Sequence, residues 1–462
     1  VGASSRYNRD VIEPGAQIEQ SRGTFFEHVN VVMLTYGADA ALAFASSVLV
    51  ARALGPGGRG AYALFLISTA LAQMILGVGF GNAAIYYINK RELSVRDVVS
   101  AAHVVTLWAA LLTALFVAAV APWAGDRVFG DGISPWLFVA AASALIYSAA
   151  LRTTLQATSR FVEMGIAMLA QPIVMLVLVS VTYAVGDMTP SRVVVFWVLS
   201  NGATAAYALA RLGPSQVDLA AMVRPHWRTI GKLARFGIQG EAGNILQLAN
   251  YRFDQYIVRA FVGLSGVGLY AVGVSMTEAV WMIANAVAIV LLPRLTSAGS
   301  DEALRVAPIA TRNTILVGAV AAVALGLAAP IVLPLFFGSA YDDSVTALWW
   351  LLPGTVALTG SKVLTSYIFS QGKPLVNTGI TLVSLVVTLI ALFALVPEFG
   401  VNGAAAASSL AYTAHFAAAL FAYNRISGRP LFEALMPRAS DAPMYADAAR
   451  GALRRVGIGA KI

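Results

Sequence analysis

The chain contains no cysteine, which excludes disulfides, thiolate zinc sites, iron–sulfur clusters and cysteine nucleophiles. Charge is scarce as well: 12% of the 462 residues are charged, against about 25% in soluble domains. The four histidines, His28, His103, His226 and His415, are scattered without metal-ligand spacing, so neither a metal nor another cofactor is expected. No run alternates with the two-residue period of a membrane barrel strand. The longest internal loop, about 211–236, leaves no room for a soluble catalytic domain. What is abundant is apolar: 58% of residues are hydrophobic, in runs of the roughly 20 residues that cross a bilayer.

The fold expected is an all-α polytopic membrane protein. Twelve spans are read near 29–51, 60–88, 99–122, 134–157, 162–185, 190–210, 237–261, 267–291, 309–334, 345–370, 375–396 and 401–424. The expected organisation is a tail 1–28, a six-helix half 29–211, a connector 212–236, a second half 237–424 and a tail 425–462. The polar start shows no cleavable signal, because the first apolar stretch is too long for a signal-peptide core. With the N-terminus inside, 24 Lys and Arg fall inside and 5 outside, so both termini are expected in the cytoplasm. The net charge of +8 is therefore read as orientation, not nucleic-acid binding. In the connector, Trp227, Ile230 and Leu233 recur at helical spacing beside Arg224, Arg228, Lys232 and Arg235. That suits either an interfacial helix on anionic lipid or an ordinary positively charged connector. Arg450, Arg454 and Arg455 form a second short amphipathic candidate in the tail.

The halves repeat. RALGPGGRGAYAL (52–64) and RAFVGLSGVGLYAV (259–272) share an Arg-Ala start, a glycine loop and a Gly-x-Tyr-Ala helix start. VFGD (128–131) and FFGS (336–339) recur at the same offset of about 208, and LQATSRF (155–161) is followed by IFSQGKP (368–374). An even number of spans per half makes this a parallel repeat, whose site is expected in a central cavity with access switched by rocking. GPGGRG, Gly55 to Gly60, fits a dinucleotide fingerprint. It lacks the strand and βαβ unit that motif needs, and reads as a tight interhelical turn.

The stretch YIFSQGKPLVNTGITLVSLVVTLIALFALVPEFGVNGAAAASSLAY (367–412) resembles the closing helices of lipid-linked oligosaccharide flippases. These are the Wzx-like polysaccharide transporters of the multidrug/oligosaccharidyl-lipid/polysaccharide (MOP) exporter superfamily. ARALGPGGRGAYAL (51–64) and RFDQYIVRAFVGLSGVGLYAVGVSMTEAVWMIANAVAIVLLPRL (252–295) are similar to its first and middle signatures, and the likeness covers about 29–425. It implies two six-helix bundles around a cavity and flipping of an undecaprenyl-diphosphate-linked glycan across the cytoplasmic membrane. It implies no enzyme activity. The partners implied are the lipid-linked glycan, membrane lipids and a coupling ion, Na⁺ or H⁺, acting on a monomer. A multidrug exporter and a peptidoglycan-lipid exporter of the same superfamily are the alternatives. A membrane glycosyltransferase or polymerase is a further one, opposed by the lack of a catalytic loop.

Span seven carries NYRFDQYIVR (250–259), with Arg252, Asp254 and Arg259 inside an apolar stretch. At 100° per residue, Glu241, Asn244, Gln247, Tyr251, Arg252, Gln255 and Arg259 fall within about 140° of arc. Asn250 and Asp254 flank it, and Ala242, Ile245, Leu246, Ala249, Phe253 and Ile257 lie opposite. Charges on such an arc are tolerable if they face water. Thr355, Thr359, Lys362, Ser366 and Ser370 form a stripe on span ten. Substrate ligands are expected among Arg252, Lys362, Arg259, Arg52, Asn244, Gln247, Tyr251 and Gln255, with the cations on the diphosphate. Asp39, Glu278 and Glu241 are the coupling candidates. The alternatives are an internal ion pair for Arg252, snorkelling for Lys362 and simple solvation for Glu241.

Overall fold

The computed structural model describes residues 14–129, 132–213, 216, 226–297, 300–436, 438 and 441. Most of the connector before His226, including Arg224, and the tail arginines Arg450, Arg454 and Arg455 lie outside the described residues. Among the described residues the chain is all-α, with no strand. The helices are α1 (Pro14–Leu76), α2 (Phe80–Asn89), α3 (Val95–Phe129), α4 (Trp136–Ala157), α5 (Phe161–Val185) and α6 (Pro190–Leu212). They continue as α7 (Trp227–Phe261), α8 (Leu264–Ser297), α9 (Ser300–Phe337), α10 (Asp343–Ser370), α11 (Pro374–Ser427) and the short α12 (Phe432–Leu435).

Eight of the described helices are long and apolar enough to cross a bilayer. The chain is an integral membrane protein. Trp227–Phe261 and Asp343–Ser370 are not among the eight; they are the helices that carry Arg252 and Lys362. Within a bilayer every backbone polar group must be satisfied inside its own helix, which explains why the chain spends its turns sparingly. Two helices bend at a glycine in place of a loop. Gly55 (φ 63°, ψ 179°) interrupts α1 just before Pro56, and Gly400 (φ 56°, ψ −129°) interrupts α11 three residues after Pro397. Proline removes a helical hydrogen bond and glycine tolerates positive φ, so the pair bends a helix at low cost. The Gly55–Gly60 motif is thus a bend between helical segments.

Local signals set other helix starts. Ser94 and Asp97 form a reciprocal cap on α3, with the Asp97 carboxylate accepting from the Ser94 amide (3.0 Å) and hydroxyl (2.7 Å). Ser94 Oγ in turn accepts from the Asp97 amide at 3.1 Å. Thr189 caps α6 through the Arg192 amide, ahead of Pro190.

The chain divides into two compact units. The first comprises residues 1–50, 72–125 and 134–241, and the second 51–71, 126–133 and 242–462. In the second unit, the repeated Gly-x-Tyr-Ala segments meet. A β-carbon on Gly60 would lie 2.0 Å from the Leu264 carbonyl oxygen, and one on Gly268 would lie 1.9 Å from that of Pro56. Only glycine permits that approach. The Ala-Ser run of α11 has the same use: Ala404, Ala405, Ala407 and Ser408 are buried, and Ser409 Oγ accepts the Gly354 amide of α10 at 2.6 Å. Close helix contact through small residues replaces the hydrophobic driving force that lipid withholds.

Candidate functional site

In the second unit α7 presents two polar faces with different fates. Asn250 and Asp254, one turn apart, are 3% and 2% exposed. Asn250 donates to Ser384 Oγ (3.2 Å) and accepts from Thr388 Oγ1 (3.0 Å), both on α11. Asp254 accepts from the Gln255 amide, from the Tyr270 hydroxyl on α8 and from Ser408 Oγ on α11. Buried polar groups survive here because hydroxyls on neighbouring helices satisfy them.

The adjacent face carries charge that is only half-buried. Arg252 pairs with Glu278 of α8, at 30% and 28% side-chain exposure. Lys362 of α10 sits 5.2 Å from the Tyr251 ring centroid and 5.1 Å from that of Trp281. Tyr412 of α11 packs edge-on against Tyr251 at 5.9 Å. Four helices thus converge: Tyr251 and Arg252 from α7, Glu278 and Trp281 from α8, Lys362 from α10, and Tyr412 from α11. Beside Lys362, Ser361 and His415 Nδ1 are 2.6 Å apart and buried.

The electrostatics divide cleanly. Glu278 balances Arg252, whereas aromatic faces hold the Lys362 ammonium. Cation–π attraction stabilises a lysine by about 0.5–2 kcal/mol without cancelling its charge. The cluster therefore offers an ammonium between aromatic walls beside a guanidinium, a suitable receptor for an anion attached to a ring-bearing group.

The structure brings four of the expected residues together: Arg252, Lys362, Tyr251 and Glu278. It places the others elsewhere. Arg52 donates from Nε to the Phe336 carbonyl (2.6 Å) and from Nη2 to that of Leu335, closing the C-terminal end of α9. Gln255 is 2% exposed, on the packed side, while Phe253 is 40% exposed. The arc drawn from sequence is rotated, because Asn250 and Asp254 claim the protein-facing side. Asn244 is exposed and Gln247, Glu241 and Arg259 are half-buried along α7. Asp39, half-buried on α1 in the first unit, is within electrostatic reach of Arg152. On α10, Thr355 and Thr359 are fully buried and bond their own helix, so the polar stripe becomes partly exposed only from Lys362 onward.

Sequence reasoning missed Trp281 and Tyr412. Trp281 lies three residues after Glu278 and so on its helical face, which was the available signal. Two cavities at the N-terminal part of α7 lie away from this cluster. One, of about 280 Å³, touches α3; the other, of about 510 Å³, is lined by Tyr87, Lys232 and Phe236.

Comparison with known proteins fits this architecture. Solved structures with the same fold include a "Lipid II flippase MurJ, inward closed conformation". It has TM-score 0.69 and 13% identity, covering 87% of this chain and 89% of that one. An inward-facing multidrug resistance MATE transporter of the MOP superfamily gives TM-score 0.62 and 16% identity, over 84% and 95%. The Vibrio cholerae MATE transporter VcmN gives 0.54 and 15%, over 88% and 99%. No curated protein matches by sequence. The sequence profile described as "Polysaccharide biosynthesis protein" matches residues 49–346, well over half the chain. With that match and a fold shared with transporters of the MOP superfamily, the chain belongs to the polysaccharide biosynthesis protein family.

Proposed function

We propose that the chain flips an undecaprenyl-diphosphate-linked oligosaccharide from the inner to the outer leaflet of the cytoplasmic membrane, for surface polysaccharide biosynthesis. Family membership and the likeness to a lipid flippase support this. The observation that carries it is the Lys362 ammonium held by Tyr251 and Trp281 beside the Arg252–Glu278 pair. Lys362 meets the diphosphate first; Arg252 exchanges Glu278 for phosphate oxygens, which a guanidinium binds bidentately. Trp281, Tyr251 and Tyr412 offer flat faces to sugar rings. The lipid tail stays in the bilayer throughout.

Twelve spans in two six-helix halves, with both termini cytoplasmic, complete the proposal. The bent helices Leu34–Leu76 and Pro374–Ser427 have 43 and 54 residues. At about 1.5 Å per residue each is long enough to cross a bilayer core of about 30 Å twice. Counting them twice and adding α7 and α10 to the remaining six gives twelve. The halves alternate access, driven by Na⁺ or H⁺ through Asp39, Glu241 or the Glu278 carboxylate released from Arg252.

The test is depletion of the protein in its own cells, followed by leaflet-resolved measurement of lipid-linked glycans. Accumulation of one undecaprenyl-linked oligosaccharide in the inner leaflet, with peptidoglycan precursor export unchanged, is expected. Loss of peptidoglycan precursor export alone would move the protein to the alternative substrate.

A further inference from the structure

The cavity between the start of α3 and the start of α7 lies wholly within the first unit and takes no part in the cluster described above. Its described lining is Arg96, Asp97, Ser100, Ala101, Val104, His226, Thr229 and Ile230, around about 280 Å³. The 35-residue helix α3 begins at it, and a helix N-terminus carries partial positive charge that favours anions. That alone would not make a site. Ser100 supplies a second, independent observation. It is 8% exposed, and its hydroxyl has no hydrogen-bond partner. A buried hydroxyl left unsatisfied is costly, and helical serines ordinarily bond a carbonyl one turn back, as Ser46 and Ser68 do here. Ser100 instead lines the cavity with its donor unspent.

The remaining lining specifies the ligand's chemistry. Arg96, near the start of α3, and His226, just before α7, both line the cavity. The one carboxylate, Asp97, has an oxygen committed to the amide and hydroxyl of Ser94 in the α3 cap. Ala101, Val104 and Ile230 give the lining an apolar part. One turn beyond Val104 lies Trp108, 47% exposed, its ring 6.1 Å from that of the 57%-exposed Trp227. Exposed tryptophans gather at the headgroup level of a membrane, and Trp227 opens its helix. Along α3, at one-turn spacing, polarity therefore falls from Arg96 through Ser100 and Val104 to Trp108, with Trp227 against it. That gradient matches an amphiphile, not a free anion.

We propose that this cavity binds the phosphate of an anionic phospholipid headgroup, with Ser100, Arg96 and Thr229 as its donors and the acyl chains leaving past Trp108 and Trp227. Lysine and arginine counts assign this end to the cytoplasmic leaflet. The inference does not depend on the transported substrate.

The test uses purified full-length protein in neutral detergent, titrated separately with phosphatidylglycerol, diacylglycerol and inorganic phosphate. Binding is read by native mass spectrometry and thermal shift. Retention and stabilisation by phosphatidylglycerol alone are expected. Arg96→Gln should weaken that binding about tenfold, the scale of one charge-assisted hydrogen bond, while Arg305→Gln, an exposed cation in the second unit, should not. Ser100→Ala removes an unsatisfied group, so the lipid-free variant should melt no lower than the parent and yet gain less from phosphatidylglycerol. Equal gain in the parent, Arg96→Gln and Ser100→Ala proteins would overturn the site. Stabilisation by diacylglycerol to the same extent would remove the phosphate from the proposal. Equal stabilisation by inorganic phosphate would replace the lipid with a soluble anion.

Discussion

The two units bury different kinds of polarity. In the first, the buried polar side chains among the described residues are uncharged, as in Ser148 with Asn201 (3.1 Å); Tyr147 meets His103 (2.6 Å), whose other nitrogen faces the Val99 carbonyl, and the charged Arg160, Glu163 and Asp39 are half-buried. In the second, Asp254, Arg252, Glu278 and Lys362 all lie along or beside α7. Neutral pairs on membrane helices contribute on average about 0.6 kcal/mol each and serve packing. A mid-membrane charge costs about 2.5–3.5 kcal/mol on insertion scales, so the four side chains gathered at α7, against Asp39 and Arg152 in the first unit, motivate the proposal that the substrate is recognised there.

The sharpest way to break it is by charge. Lys362→Ala should slow export by about 10–100-fold, as expected from losing a charge-assisted contact of about 1.5–3 kcal/mol, with protein level unchanged. Arg252→Ala should do the same, and Arg252→Lys should retain partial function because it keeps charge without the bidentate geometry. The measurement is inner-leaflet accumulation of the lipid-linked glycan. Normal export by a well-expressed Lys362→Ala protein would dissolve the distinction between units.

Packing gives the next effect. Gly268→Ala drives a methyl into the Pro56 carbonyl and should cost about 1–3 kcal/mol, lowering the melting temperature. Gly243→Ala, where nothing lies within 4 Å, should not. In the first unit His103→Phe should lose only about 0.6 kcal/mol and leave export intact; a transport defect at normal stability would show that its neutral pair also serves function.

Two peripheral ion pairs extend the contrast. Arg312 holds Asp441 through two nitrogens at 4% exposure on each side, and its guanidinium keeps the Asp441 carboxyl below the usual carboxylate range. Lys232 and Glu92 in the first unit are 39% and 45% exposed, and the hydrogen bond to Glu92 raises the lysine. A depressed carboxylate stabilises above its unfolded value and loses that contribution as pH falls through its folded one. The tail around α12 should therefore loosen below about pH 4, read as faster hydrogen exchange over 428–436. Asp441→Asn should produce the same loosening at neutral pH. Lys232→Ala should change nothing measurable, as expected of an exposed pair.

Much of this was legible in the sequence. Apolar run length gives helices and a membrane. The glycine-rich repeat marks Gly60 and Gly268, whose contact explains why the motif recurs. Arg252 and Lys362 stand out because charge is rare. Their settings were not legible. A helical arc assigns directions only relative to its own axis, so the rotation that buries Gln255 and exposes Phe253 came from partners on α8 and α11, Tyr270, Ser384, Thr388 and Ser408. Arg52 looked like a cavity cation because nothing in its neighbourhood reveals that α9 ends against it. Trp281 and Tyr412 were hidden in plain apolar sequence, where an aromatic facing an ammonium reads the same as one facing lipid.

The most direct test of the account is reconstitution of the purified protein in vesicles carrying its undecaprenyl-linked oligosaccharide, with flipping read by a membrane-impermeant sugar-modifying enzyme. The parent protein should flip it. Lys362→Ala should do so at least about tenfold more slowly at an unchanged melting temperature. The Arg252→Gln/Glu278→Gln double variant, which removes both charges together, should be stable and equally slow. Flipping at the parent rate by both variants would show that these charges only pack the helices, and would contradict the account.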